Sequence, residues 1–152
     1  MAPVAKRTGD KPLTDADYVR LAEFRYTLRS FLNFSESAAS RIGLTGQQYQ
    51  ALLVVRATPV SSERTVSELA RQLLIKHHSA VGLVDRLADQ EFLVRKPSRE
   101  DARKVELRLT AKGTRVLGRL ADMHRHELAH AGPQLQALLA QITHLTAGGP
   151  AP

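Results

Sequence analysis

SAVGLVDRLADQEFLVRKPSREDARKVELRLTAKG, residues Ser79 to Gly113, decides how this chain folds. Ala80, Leu83, Val84 and Leu87 share one face of a helix predicted over about His77 to Gln90. Phe92, Leu93 and Val94 then open a strand, and Pro97 to Lys104 supplies a polar turn. Val105, Leu107 and Leu109 alternate with Glu106 and Arg108, the pattern of a half-buried strand. Thr110 can then accept from the orphan amides of the next helix. A helix, a basic hairpin and a capped helix in that order form the latter half of a winged helix-turn-helix, with the hairpin as the wing.

Working outward, Thr65 followed by Glu68 predicts a capping box in front of a short helix, Val66 to about Leu73. Before it, Thr58 to Arg64 reads as a loop. Thr45 caps a helix over Gly46 to about Ala57 that buries Tyr49, Leu52, Leu53 and Val55. The first helix, from Asp15 to about Ala39, carries a stripe of Tyr18, Leu21, Phe24, Leu28, Phe31 and Leu32. Beyond Thr110, Val116, Leu117, Leu120, Met123 and Leu128 form another stripe. Gly132 and Pro133 are expected to interrupt it, and a last helix, Pro133 to Leu145, then aligns Leu135, Leu138, Leu139, Ile142 and Leu145. The fold class is mainly α with a small β-hairpin wing. Residues 1–14 and 146–152 read as flexible ends of a single domain spanning 15–145. Within it, about 45–110 is the winged helix-turn-helix, flanked by helices at about 15–40 and 111–145.

Lys and Arg outnumber Asp and Glu by 22 to 15, for a formal net charge of +7, which favours a polyanionic partner. There is no cysteine, which removes disulfides, thiolate metal sites and thiol redox sensing. No apolar run is long enough for a signal peptide or a membrane span, so a cytoplasmic protein is expected. Neither a Gly-rich phosphate loop nor an HExxH string occurs, and Ser79 beside His77 and His78 lacks a third orienting group, so no enzyme is read here. His126 and His130 stand four apart and could share a metal, with His124 and His144 nearby. No His or Cys in the first two helices completes such a site, and the expectation is no metal and no cofactor.

A helix enters the major groove through a polar or small-residue face near its N-terminus. His77, His78, Ser79, Val81 and Gly82 lie opposite or beside the buried stripe and meet that requirement. Gly82 costs on the order of 1 kcal/mol relative to Ala in a helix interior, and either close approach to DNA or a tolerated surface glycine accounts for it. Between Arg95 and Lys104, five residues are basic and two acidic. An Arg at such a tip can enter a narrow minor groove, whereas an isolated hairpin of this kind is more often a solvated turn.

Taken with SELARQL (Ser67 to Leu73), SREDARKVELRLT (Ser98 to Thr110) and the AKG that follows Thr110, the stretch resembles the MarR family of winged-helix transcriptional regulators over about Asp15 to Leu145. The resemblance implies a homodimer on double-stranded DNA with a pseudo-palindromic operator, His77, His78, Ser79, Val81 and Gly82 facing the major groove. It assigns Ser67 and Arg86 to phosphates and Arg103, braced by Asp101, to the minor groove. Ala102 stands where the family usually has a basic residue, with Arg99 and Lys104 as substitutes, and Leu74 replaces a small turn residue. The apolar stripes of the terminal helices exceed what one chain covers, so Leu21, Leu28, Leu120, Leu128, Leu135, Leu138, Leu139 and Ile142 are read as dimer contacts. The family also implies a small aromatic or phenolic effector, for which Phe24, Arg25 and Phe31 are candidates. A repressor is the reading preferred here; the alternative is a winged-helix protein-interaction module that does not read DNA.

Overall fold

The computed structural model describes residues 12–59 and 64–146, with backbone alone for His144, Leu145 and Thr146. The expected flexible ends therefore fall almost wholly outside the described residues, as does most of the expected loop before Arg64. Within them are α1 (Asp15–Ser40), α2 (Gly46–Ala57), α3 (Val66–Leu73), α4 (His77–Asp89), β1 (Leu93–Pro97), β2 (Val105–Leu109) and α5 (Ala111–Thr146). The strands pair antiparallel, from Leu93 opposite Leu109 to Pro97 opposite Val105. The Leu107 amide also donates to Arg64 O at 2.8 Å, which ties the segment before α3 to the other edge of β2.

Threonine starts four of the five helices. Thr14 exchanges hydrogen bonds with Asp17, Thr45 with Gln48 in a complete capping box, Thr65 Oγ1 accepts from the Glu68 amide, and Thr110 Oγ1 accepts from the Gly113 amide. The box expected at Thr65 is only half formed. The Glu68 carboxylate turns away to Arg71 at 2.6 and 2.9 Å and to Gln72 at 2.8 Å, because charged and amide donors on the next turn outcompete the cap amide. Those partners hold its carboxyl down at about 2.

The chain divides into two compact units. One, Ser35–Arg125, contains the end of α1, α2 to α4, the hairpin and the first part of α5. Its core is built on aliphatic side chains: Leu52, Leu69, Leu83, Val84, Leu87, Leu93, Leu107 and Leu120 are all fully buried. All four stripe residues expected of α4 are buried. At α2, Tyr49, Leu52 and Val55 are buried, but Leu53 is exposed and Gln48 and Ala51 take the inner face instead. His124 is buried here too, stacked on Tyr49 with ring centroids 4.4 Å apart, its ring nitrogens against Leu120 O and Ser35 Oγ at 2.5 Å.

The alternation expected of β2 is broken at its start. Val105 is exposed and Glu106 is buried, bonded through Oε2 to Arg108 at 2.7 and 3.0 Å. With β1 on one edge and Arg64 on the other, β2 is flanked on both sides, so a carboxylate can be enclosed once its charge is matched.

The other unit is formed by the first part of α1 and the last part of α5, within residues 1–34 and 126–152. Here Gly132 and Pro133 do not interrupt the helix, and α5 runs unbroken for 36 residues. Pro133 forfeits one backbone bond, to the Ala129 carbonyl, and both residues are exposed, so that carbonyl stays open to water. Tyr18, Val19, Tyr26, Leu28, Leu32, Leu128 and Leu139 are exposed. No described helix is long and apolar enough to cross a membrane.

Candidate nucleic-acid interface

The four buried residues of α4 turn its other face outward. His77, His78 and Ser79 at its N-terminus are exposed, as is Arg86, while Val81 and Gly82 are half-buried. Ser67, exposed near the start of α3, brings its Oγ within 3.4 Å of His77 Nδ1, so the two helices present polar groups side by side. The Arg86 guanidinium lies over Gly82, 3.5 Å from where a Cβ would stand. That is ordinary van der Waals contact, so nothing within the chain requires glycine there.

The N-terminus of α4 differs from the others. Lys76, exposed, occupies its cap position and provides no side-chain hydrogen bond, so the His77 and His78 amides are left without a cap while the Ser79 amide donates to Lys76 O at 3.0 Å. Free amides and the positive end of a helix dipole suit a phosphate. Sequence reasoning missed Lys76; the absence of Ser, Thr, Asp or Asn before His77 was the available signal.

The turn between α3 and α4 is tight in a costly way. Leu74 has φ 55° and ψ 39°, the left-handed region, and is 93% exposed. Its amide donates to Arg71 O at 3.3 Å and the Ile75 amide to Ala70 O at 3.0 Å, the paired bonds of a Schellman motif. Glycine usually fills that position, so the departure noted in the sequence keeps the turn geometry and transfers the cost to the backbone of Leu74.

In the wing, the Arg103 amide donates to Asp101 Oδ1 at 3.0 Å, with Arg103 Nε 3.8 Å from the same oxygen. Asp101 thus orders the loop chiefly through its backbone and leaves the Arg103 side chain 96% exposed. The Lys104 amide donates to Asp101 O at 2.9 Å and the Ser98 amide to Lys104 O at 2.8 Å, which closes the loop. Arg99 and Lys104 are exposed. Arg95, also basic in sequence, is committed elsewhere: its guanidinium bonds Asp85 on α4 at 2.6 Å, clamping the wing base to that helix.

Gly113 fixes the other side of the wing base. A Cβ there would lie 1.9 Å from Phe92 O, so only glycine allows α5 to start against the backbone of Phe92, just before β1. Lys112 adds a bond to Gln90 O at 2.8 Å and lies 4.9 Å over the Phe92 ring. The string AKG was legible in sequence, but the backbone oxygen that demands its glycine was not.

Two of the expected dimer contacts are inward: Leu120 is fully buried in the core of its unit and Leu138 is buried as well, because each packs against its own chain. Leu28, Leu128 and Leu139 are exposed, and Leu21, Leu135 and Ile142 are half-buried. Phe24 and Phe31 are half-buried and Arg25 is exposed. His126 and His130 are exposed, and the described residues contain no group of three or more His, Cys, Asp or Glu able to hold a metal.

A buried-backed helix with a polar leading end, a tight turn from the preceding helix and a basic hairpin clamped beside it define a winged helix-turn-helix protein. Residues 42–104 match the MarR family model, the family that the sequence motifs resemble. Solved structures carry the same fold: AbsC, a MarR family transcriptional regulator from Streptomyces coelicolor, is 19% identical, with TM-score 0.69 over 89% of this chain and 93% of that one. RV1404 from Mycobacterium tuberculosis is 20% identical, with TM-score 0.65 over 92% and 99%. The multiple antibiotic-resistance repressor from Listeria monocytogenes is 22% identical, with TM-score 0.59 over 86% and 99%. No curated protein matches the chain by sequence.

Proposed function

We propose that this chain is a homodimeric transcriptional repressor that reads a pseudo-palindromic operator in double-stranded DNA. The observation that carries the reading is the leading end of α4: His77, His78 and Ser79 stand exposed on a helix whose other face is entirely core, beside Ser67 and uncapped amides. His77, His78, Ser79, Val81 and Gly82 contact base edges, Ser67 and Arg86 contact phosphates, and Arg103 enters the minor groove with Arg99 and Lys104 on the flanking backbone. Leu28, Leu128 and Leu139, with Leu21, Leu135 and Ile142, supply the apolar surface of the dimer. A small aromatic or phenolic effector weakens the complex, and Phe24, Arg25 and Phe31 are its candidate contacts. Support for repression comes from the Listeria monocytogenes relative, described as a repressor.

The test is titration of DNA from upstream of the protein's own gene across a salt series. Saturable binding that falls steeply with salt is expected, and no binding at low salt ends the proposal. Arg103→Ala should weaken that binding about tenfold with the melting temperature unchanged, since the side chain touches little of its own chain.

A further inference from the structure

Four arginines converge on one cavity of about 240 Å³ beside the wing: Arg56 from the end of α2, Arg64 from the segment before α3, Arg99 from the wing loop and Arg108 from β2. Leu109 and Thr114 are the other described residues of its wall. Arg108 is matched by Glu106, and Arg64 Nε donates to Thr58 O at 2.7 Å. Among the described residues, Glu106 is the one carboxylate paired with any of the four, and the side chains of Arg56 and Arg99 have neither an ion pair nor a hydrogen bond. Cations gathered on one wall repel, and an anion between them removes that repulsion. Guanidinium forks also match the oxygens of phosphate and carboxylate two bonds at a time.

Size narrows the occupant. Pockets for drug-sized ligands begin at about 300 Å³, so this cavity suits a compact dianion. No described wall residue comes from α3 or α4, which separates it from the face proposed to read the groove. Arg99, however, lies in the same loop as Arg103. We propose that the cavity binds a small oxyanion, inorganic phosphate or a compact phosphate or dicarboxylate metabolite, and that the bound anion draws Arg99 inward and loosens the wing's hold on DNA. The second part rests on the DNA-reading function above.

The first experiment uses the full chain without DNA, titrated with inorganic phosphate at ionic strength held constant by chloride. A saturating rise in melting temperature and saturable heat of binding are expected. Arg56→Gln and Arg99→Gln should each weaken binding at least tenfold, while Arg119→Gln, exposed on α5 and outside the cavity, should leave it unchanged. No saturable response, or the same response in Arg56→Gln, overturns the site. In the second experiment, phosphate at the same ionic strength should lower DNA affinity threefold or more in the native chain and not in Arg56→Gln. If Arg56→Gln loses DNA affinity while the free protein ignores phosphate, the arginines serve the DNA backbone and the proposal falls. If phosphate binds but no DNA does, the anion site stands, and the DNA-reading function and the coupling fall together.

Discussion

The winged unit and the unit of terminal helices treat their leucines in opposite ways. In the first, every large stripe residue of α4 is enclosed by its own chain; in the second, Leu28, Leu32, Leu128 and Leu139 remain exposed among Tyr18, Val19 and Tyr26. Both stripes have the same period in sequence. The difference teaches that periodicity identifies a face that needs covering without saying which chain covers it. A unit that closes on itself can be tested by folding, and one that does not, by association.

The largest expected effect is at Gly113. Gly113→Ala forces a methyl group into the Phe92 carbonyl and should cost about 3 kcal/mol or more, read by urea unfolding, with the hairpin and the start of α5 lost together. A loss under about 1 kcal/mol would show that the wing base is not rigid. A sharper contrast comes from two leucines of the same helix. Leu120→Ala should cost about 2 to 5 kcal/mol of folding stability. If the proposed dimer forms, Leu139→Asp should leave helix content intact and convert it to monomer in sedimentation; a dimer that persists would remove Leu139 from the interface.

Smaller effects lie in the α3–α4 turn. Leu74→Gly relieves a left-handed leucine and should stabilise the winged unit by about 1 kcal/mol in urea. A neutral or destabilising result would mean that the leucine side chain has a partner. The smallest effect concerns Glu68, whose carboxyl is held near 2 by Arg71 and Gln72. Its contribution to stability is present above the ordinary carboxylate value of 4.5 and lost as pH falls toward 2. Glu68→Gln should therefore flatten the fall in stability across that range, and an unchanged slope would assign acid sensitivity elsewhere.

The α4 stripe, the order of elements up to Thr110 and the caps at Thr45, Thr65 and Thr110 were legible because each depends on residues close in sequence. What escaped depends on groups far apart. Glu106 is buried only because Arg108 matches it and Arg64 covers the far edge of β2, so alternation misread Val105. Pro133 looked like a break, yet the lost bond falls on an exposed face and the apolar stripe continues beyond it. In the candidate site, the exposed polar end of α4 and the basic wing could be read from residue type. The capture of Arg95 by Asp85 and the arginine cavity arise where separate elements meet, whereas Lys76 before His77 was a local signal that went unread.

The wing has one more consequence. A two-stranded ribbon at a protein's surface exposes a row of unpaired amides and carbonyls, an invitation for another molecule's strand to add on. Here the outer strand β1 ends in Arg95, Lys96 and Pro97, all exposed. Proline cannot donate to an incoming strand, and two like-charged ribbons repel. The cations proposed to meet DNA therefore also disfavour pairing ribbon to ribbon between concentrated molecules.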